Sequence, residues 1–290
     1  MIDPLTLDNG ATRMVKKFAV GIALISITLS GISAHAAAPE DAATARGAAV
    51  LEAPLDFESH QEQPKDGNDT PNLQYLKSYL IDTGKIVAAP LHWESKDWIK
   101  AGLVLGATST LFLADKKVRD FALDNQSKVA SRFASVGNDL GNGLYTLPAV
   151  GGFYLYGYLA DDHKAKRASL LALESFTLSG ALTSGIKVLA ERHRPNTGPN
   201  PQNWDGPSLS VKNVSFSSGH AASAFSIATV FAEEYKDNRY IPPIAYGLAT
   251  LTGLSRIYSN AHWSSDVFLG AAIGYFMSKA IIKLHKDDPK

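Results

Sequence analysis

The 290-residue chain contains no cysteine. Disulfides, thiolate metal centres and a thiol nucleophile are thereby excluded, and the compartment has to be read from targeting signals. The chain also lacks an excess of charge of either sign, since 28 Lys and Arg balance 28 Asp and Glu. That balance leaves no electrostatic footprint of nucleic-acid binding, so no nucleic-acid partner is expected and any anion site must be local. Alternating β-type patterns are scarce. Charge-free apolar runs stop short of the roughly 20 residues of a comfortable membrane span, and Glu174 and Lys187 interrupt the most plausible candidate. What remains is 45% hydrophobic and 19% charged, enough to bury a full core.

The N-terminal stretch MVKKFAVGIALISITLSGISAHAAAPE has a basic start at Lys16 and Lys17, an apolar run from Phe18 to Ile32, and a small-residue cleavage pattern at Ala34-His35-Ala36. It reads as a bacterial secretory signal peptide, with cleavage after Ala36 and residues 1–36 removed. The acidic stretch before Met14 is unlike a signal start, so Met14 is a candidate initiator. Residues 37–72, rich in Ala, Pro and acid, have no periodicity and read as a flexible leader. From Leu73 to the end, apolar residues recur at helical spacing near 73–89, 96–114, 118–136, 144–160, 168–191, 220–235, 241–258 and 264–284. The domain 73–290 is therefore expected to be mainly α, exported to the periplasm, and either globular there or resting on a membrane surface. An integral inner-membrane protein whose site faces the periplasm is the alternative.

Three polar clusters interrupt this apolar pattern. In SRIYSNAHWSSD, Arg256, His262 and Asp266 stand in a region where unpartnered charge is costly. His262 and Asp266 are four apart, close enough for the carboxylate to fix the imidazole tautomer and leave the other ring nitrogen free. In SFSSGHAASAF, Ser218, Gly219 and His220 precede a helix, where backbone N–H groups can cradle an anion, although an ordinary N-cap would look the same. In KVLAERHRP, Lys187 and Arg194 lie seven apart. On one helix running to Pro195 they would share a face about 10 Å apart along the axis. Arg192 and His193 would then lie off that face, at the surface, and Glu191 could pair with either base.

Taken in order, K-x(6)-R-P, S-G-H and S-R-x(5)-H-x(3)-D resemble the motifs of the type 2 phosphatidic acid phosphatase superfamily, which also holds bacterial acid phosphatases and vanadium haloperoxidases. The resemblance runs from about Ser169 to Lys283. One departure is Ser217, which stands where that family usually has proline and bears on loop rigidity more than on chemistry. The resemblance implies an all-α helical bundle and a metal-independent hydrolase without cofactor, acting on a phosphorylated small molecule or lipid. It makes His262 the nucleophile, Asp266 its orienting partner and His220 the acid and base. Lys187, Arg194, Arg256, Ser218 and the Gly219 amide would bind the phosphoryl oxygens. A vanadate-dependent haloperoxidase and a non-catalytic phosphate- or lipid-binding protein are the alternatives. The loop from Asn196 to Ser215, with Trp204, is expected to cover the site and set substrate choice.

Overall fold

The computed structural model describes residues 70–208 and 214–287. The signal peptide and almost all of the leader lie outside the described residues. Among the described residues eight helices follow in order: α1 (Leu73–Ala88), α2 (Ser95–Asp124), α3 (Lys128–Leu140), α4 (Gly143–Leu159), α5 (His163–Ala190), α6 (Gly219–Glu234), α7 (Ile241–Tyr258) and α8 (Ser264–Asp287). A short 3₁₀ turn, Ala89–His92, joins the first two. Among the described residues there is no strand, only one isolated bridge between Arg192 and Trp204. The fold is all-α.

Most helix starts are written in the sequence as caps. Asn72, Ser127, Asn142 and Asp162 each accept a backbone N–H of the first turn through their side chains. Each such cap is worth about 1 kcal/mol, because it satisfies one of the orphan donors at a helix start. One boundary differs from the periodicity. The charged stretch at Asp115-Lys116-Lys117 reads as a break, yet α2 runs through it to Asp124. It holds no Gly or Pro, a Lys116–Asp120 pair spans one turn at 2.6 Å, and Asp115 is fully buried as a polar anchor.

The bundle is centred on α5, α6 and α8, with Leu171, Ala172, Val230, Ile281 and Ile282 packing with Val150 of α4 into one apolar cluster. The approach of α6 to α8 depends on small residues. A Cβ on Gly270 would strike the Ser218 carbonyl, and one on Gly274 would strike the Ala222 carbonyl, each closer than real Cβ atoms come. Glycine is required at these two positions by space. Among the described residues, only α8 (over Ser264–Lys286) is long and apolar enough, by length and composition, to cross a membrane, and 61% of its apolar window is buried within the fold. By contrast, α1 to α4 expose Leu76, Leu80, Leu103, Leu113, Leu144, Tyr158 and Leu159 among many other large apolar side chains.

The glycine contact generates a prediction. Gly270→Ala should destabilise the domain by about 1–3 kcal/mol through overpacking, read from urea unfolding. Wild-type stability in Gly270→Ala would show that the helices are not in backbone contact there.

Candidate active site

The third cluster is built around a carboxylate. Asp266 sits in the first turn of α8 and is fully buried. Its Oδ1 accepts from Arg192 Nη1 at 2.6 Å, and its Oδ2 accepts from Ser215 Oγ at 2.5 Å and from the Trp263 backbone N–H at 2.9 Å. Its backbone carbonyl accepts the Ser218 N–H at 2.9 Å, tying the second cluster to the third. Desolvation pushes the Asp266 carboxyl upward, but His262, Arg192 and Ser215 together outweigh it and hold it below the usual carboxylate range.

His262 lies in the turn between α7 and α8. The Arg256 carbonyl accepts both the Ala261 and the His262 N–H, and Asn260 sits in the left-handed region at φ 56°. His262 Nδ1 is 3.7 Å from Asp266 Oδ2, beyond a full hydrogen bond, and has no other partner. Nδ1 faces the carboxylate, which leaves Nε2 as the ring nitrogen open to a substrate. Burial holds the imidazole down to about 4; Asp266 opposes this, and the charges of Lys187 and Arg194 reinforce it. At neutral pH His262 is neutral.

The cations converge on the same place. Lys187 Nζ donates to the Val214 carbonyl at 2.7 Å, and its Cε lies 4.0 Å from where a Gly219 Cβ would stand, so the first cluster touches the second. Burial, then Arg194, lowers Lys187 to about 8, with Arg256 adding to the effect and Asp266 opposing it. Arg256 donates through Nη1 to Asn138 Oδ1 on α3, while its buried Nε has no partner. His220, in the first turn of α6, is held down to about 4 by burial and then by Arg256, His262, Arg194 and Lys187. Ser218 caps α6, and its Oγ accepts the Ala221 N–H at 3.4 Å. Ser217 is buried and its hydroxyl has no partner. All eight residues singled out in the sequence thus meet at one end of the bundle. An orphaned Arg256 Nε and three mutually repelling cations form a place that favours an anion.

Two expectations for the first cluster need correcting. The helix does not reach Pro195: α5 ends at Ala190, where Glu191 turns left-handed at φ 41°, and Arg194 lies beyond it. Arg192 is not at the surface but wholly buried. It donates to Asp266, to Asp115 Oδ2 at 2.8 Å, to Ser265 Oγ at 2.8 Å and to the Pro201 carbonyl. Its guanidinium lies 4.5 Å from the Phe112 ring centroid and 5.1 Å from that of Trp204. Leaving the helix early lets the chain turn this side chain inward. Asp115 in turn accepts from Ser264 Oγ, Ser265 N and Ser265 Oγ. His193 is half-buried and pairs with Asp205, while Glu191 Oε1 is buried without a partner, so the pairing with Lys187 or Arg194 is not made through it. Arg192 and Asp115 were missed because their partners lie more than 70 residues away. The available signal was a charged residue, Asp115, inside an apolar helical run.

The structure is a helical bundle in which two histidines and three cations lie close together. Residues 168–290 are similar to the PAP2 superfamily. The chain is similar to the lipid A 1-phosphatase of Porphyromonas gingivalis, 28% identical over 186 residues, which cover 63% of this chain and 38% of that protein. The chain therefore spans well under half the length of this curated relative. Among solved structures it is similar to Aquifex aeolicus LpxE, with 24% identity, a TM-score of 0.45, and coverage of 58% of this chain and 93% of that one. It is also similar to the transmembrane PAP2-type phosphatidylglycerolphosphate phosphatase of Bacillus subtilis, with 20% identity, a TM-score of 0.48, and coverage of 75% and 96%.

The Arg192 bridge gives a sharp test. Arg192→Met should cost about 3–5 kcal/mol of unfolding free energy, because it strands two buried carboxylates, where an exposed arginine would cost under about 0.5. In the surviving folded fraction kcat should fall more than KM rises, since Arg192 reaches His262 through Asp266 and does not touch the anion site. A wild-type melt for Arg192→Met would refute the buried bridge.

Proposed function

We propose that this protein is a phosphatase that hydrolyses the phosphate monoester of a lipid through a phosphohistidine on His262. The single observation that carries the reading is the convergence of Lys187, Arg194 and Arg256 on two neutral histidines, one of them backed by a buried carboxylate. Phosphoryl transfer needs charge stabilisation around three equatorial oxygens and an in-line group on each side of phosphorus, and this residue set supplies both.

The steps follow from the protonation states. Phosphate binds between the three cations and the α6 N-terminus, where Gly219 permits close approach and the first-turn N–H groups point outward. Burial, and after it the nearby cations, keep His220 neutral at rest; a bound dianion answers those cations, so His220 takes up a proton on substrate binding. His262 Nε2 attacks phosphorus with its lone pair, and the bond to the leaving oxygen breaks as His220 gives that oxygen its proton. The positive imidazole that results is stabilised by Asp266, whose negative charge Arg192 and Ser215 hold in place. Water then enters opposite His262, loses a proton to His220 and displaces the histidine. The product is inorganic phosphate; as it leaves, His220 gives the proton it took from water to solvent, and both histidines return to their starting states.

The relative's name supports a lipid phosphate over a soluble one and makes lipid A 1-phosphate the first substrate to assay. The large apolar side chains exposed on α1 to α4 support an exported domain held against a membrane surface, where such a substrate resides. Phosphatidate, undecaprenyl diphosphate and a soluble phosphomonoester complete the panel.

His262→Ala should abolish turnover and acid-quenched phosphoenzyme while leaving the helical circular dichroism intact. Asp266→Asn should retain more activity than His262→Ala, because a ring nitrogen stays available. Activity in His262→Ala above a few per cent of wild type would remove this histidine from the chemistry. Vanadate should inhibit, and initial rates should survive chelation of divalent metals.

The pH profile is a separate test. Lys187 is charged below about pH 8 and neutral above it, so its contribution to phosphate binding is present below that pH and lost as pH rises through it. kcat/KM should therefore decline on the alkaline side near pH 8. Lys187→Arg should remove that limb, since a guanidinium stays charged throughout the accessible range. An alkaline limb unmoved in Lys187→Arg would assign it to another group.

A further inference from the structure

A second buried polar cluster lies outside the phosphate site. Asp82 of α1, Glu174 of α5 and His285 of α8 come together from three helices, with their nearest side-chain nitrogen and oxygen atoms all within 4.8 Å of one another. His285 Nε2 is 2.9 Å from Glu174 Oε2 and 3.3 Å from Asp82 Oδ2. Exposure is 0% for Glu174, 2% for Asp82 and 8% for His285. A single imidazole N–H can serve only one of the two carboxylates it faces. The other carboxylate partners are peripheral: Lys85 reaches Asp82 Oδ1 at 3.6 Å from a half-exposed position, and the Tyr75 hydroxyl donates to Glu174 Oε2 at 3.3 Å. Glu174 Oε1 is completely buried and has no hydrogen-bond partner. An orphaned carboxylate oxygen in such a place carries a penalty of several kcal/mol unless something positive meets it.

The geometry points to a binding site for a divalent transition cation of the zinc type, held by Asp82, Glu174 and His285. One imidazole nitrogen with carboxylate oxygens is a donor set such ions accept. With metal–ligand distances of about 2.1 Å, neighbouring donors in a tetrahedral shell stand about 3.4 Å apart. The observed 2.9 and 3.3 Å separations need only small side-chain adjustments to reach that spacing. Neutral His285 would present its Nε2 lone pair, and Glu174 Oε1 would supply a further oxygen. A dication would balance both carboxylates, which a proton on His285 cannot do. The site is structural: it pins α1 onto α5 and α8. It stands apart from the phosphate chemistry, so the fate of one reading does not decide the other.

The test uses the full chain, stripped with EDTA, exchanged into chelator-free buffer and titrated with zinc chloride alone. Calorimetry should show uptake of one ion at micromolar or tighter affinity, and the thermal midpoint should rise with zinc. Asp82→Asn and His285→Gln should each weaken uptake at least tenfold and abolish the zinc-dependent rise, while vanadate inhibition stays as in wild type. Asp82 sits on the peripheral α1, so Asp82→Asn is the variant expected to fold normally if His285→Gln does not. No uptake by the wild type at 100 µM zinc would overturn the proposal. Uptake undiminished in Asp82→Asn would overturn it as well, and either result would leave the cluster as a proton-shared ionic latch.

Discussion

The Asp266 carboxylate is the point from which the site is assembled. It is buried to 0% exposure at the start of α8 and accepts from Arg192, Ser215 and the Trp263 backbone, while its own carbonyl holds the Ser218 N–H. A charge so placed would be prohibitive without these partners. With them it joins three chain segments far apart in sequence: the end of α5, the loop before α6 and the turn before α8. Orienting His262 and holding the two loops in register are therefore one interaction. The 3.7 Å gap from Asp266 Oδ2 to His262 Nδ1 fits a carboxylate oxygen already occupied by two neutral donors, the Ser215 hydroxyl and the Trp263 backbone N–H.

Arg192 carries the same logic one step outward. It spans Asp266 and Asp115, both fully buried, and its flat faces lie over aromatic rings of Phe112, Trp204 and Trp263. A lysine could not serve both carboxylates and stack at once, because its charge is a point and its ammonium has no planar face. The bridge also explains why α5 stops where it does. Continuing the helix to Pro195 would carry Arg192 away from Asp115 and Asp266. The left-handed Glu191 instead redirects the chain, and the backbone bridge from Arg192 to Trp204 fixes the new direction.

The site's charged residues were legible because each is an anomaly in its setting. Lys187, Arg256 and Asp266 stand in apolar stretches, and Ser218-Gly219-His220 opens a helix whose other first-turn residues are small and apolar. The fold class was legible from periodicity, and most helix starts from their caps. The missed features depend on partners that no local pattern encodes. The run around Asp115 reads as a break only if its charge is assumed to face water, and Arg192 reads as surface only if the helix is assumed to reach Pro195. Glu174 was legible as an argument against a membrane span, but its meeting with Asp82 and His285 requires α1, α5 and α8 to be packed first. Sequence spacing can place groups on one helix face; it cannot place the far carboxylate that decides whether a charge is buried.

The two polar clusters divide the bundle in a way that follows from charge. Around His220 and His262, Lys187, Arg194 and Arg256 crowd together without carboxylates of their own, since Asp266 is already committed to Arg192 and Ser215. Burial depresses Lys187 and both histidines first, and the positive charges around them add to it. At Asp82, Glu174 and His285 the sign is opposite, with carboxylates in excess of the protons that can be shared among them. α5 and α8 run between both places, since α5 carries Glu174 and Lys187 while α8 carries Asp266 and His285. Each cluster is thus held on the best-packed helices of the fold, where backbone contact through Gly270 and Gly274 leaves little room for the charged groups to relax.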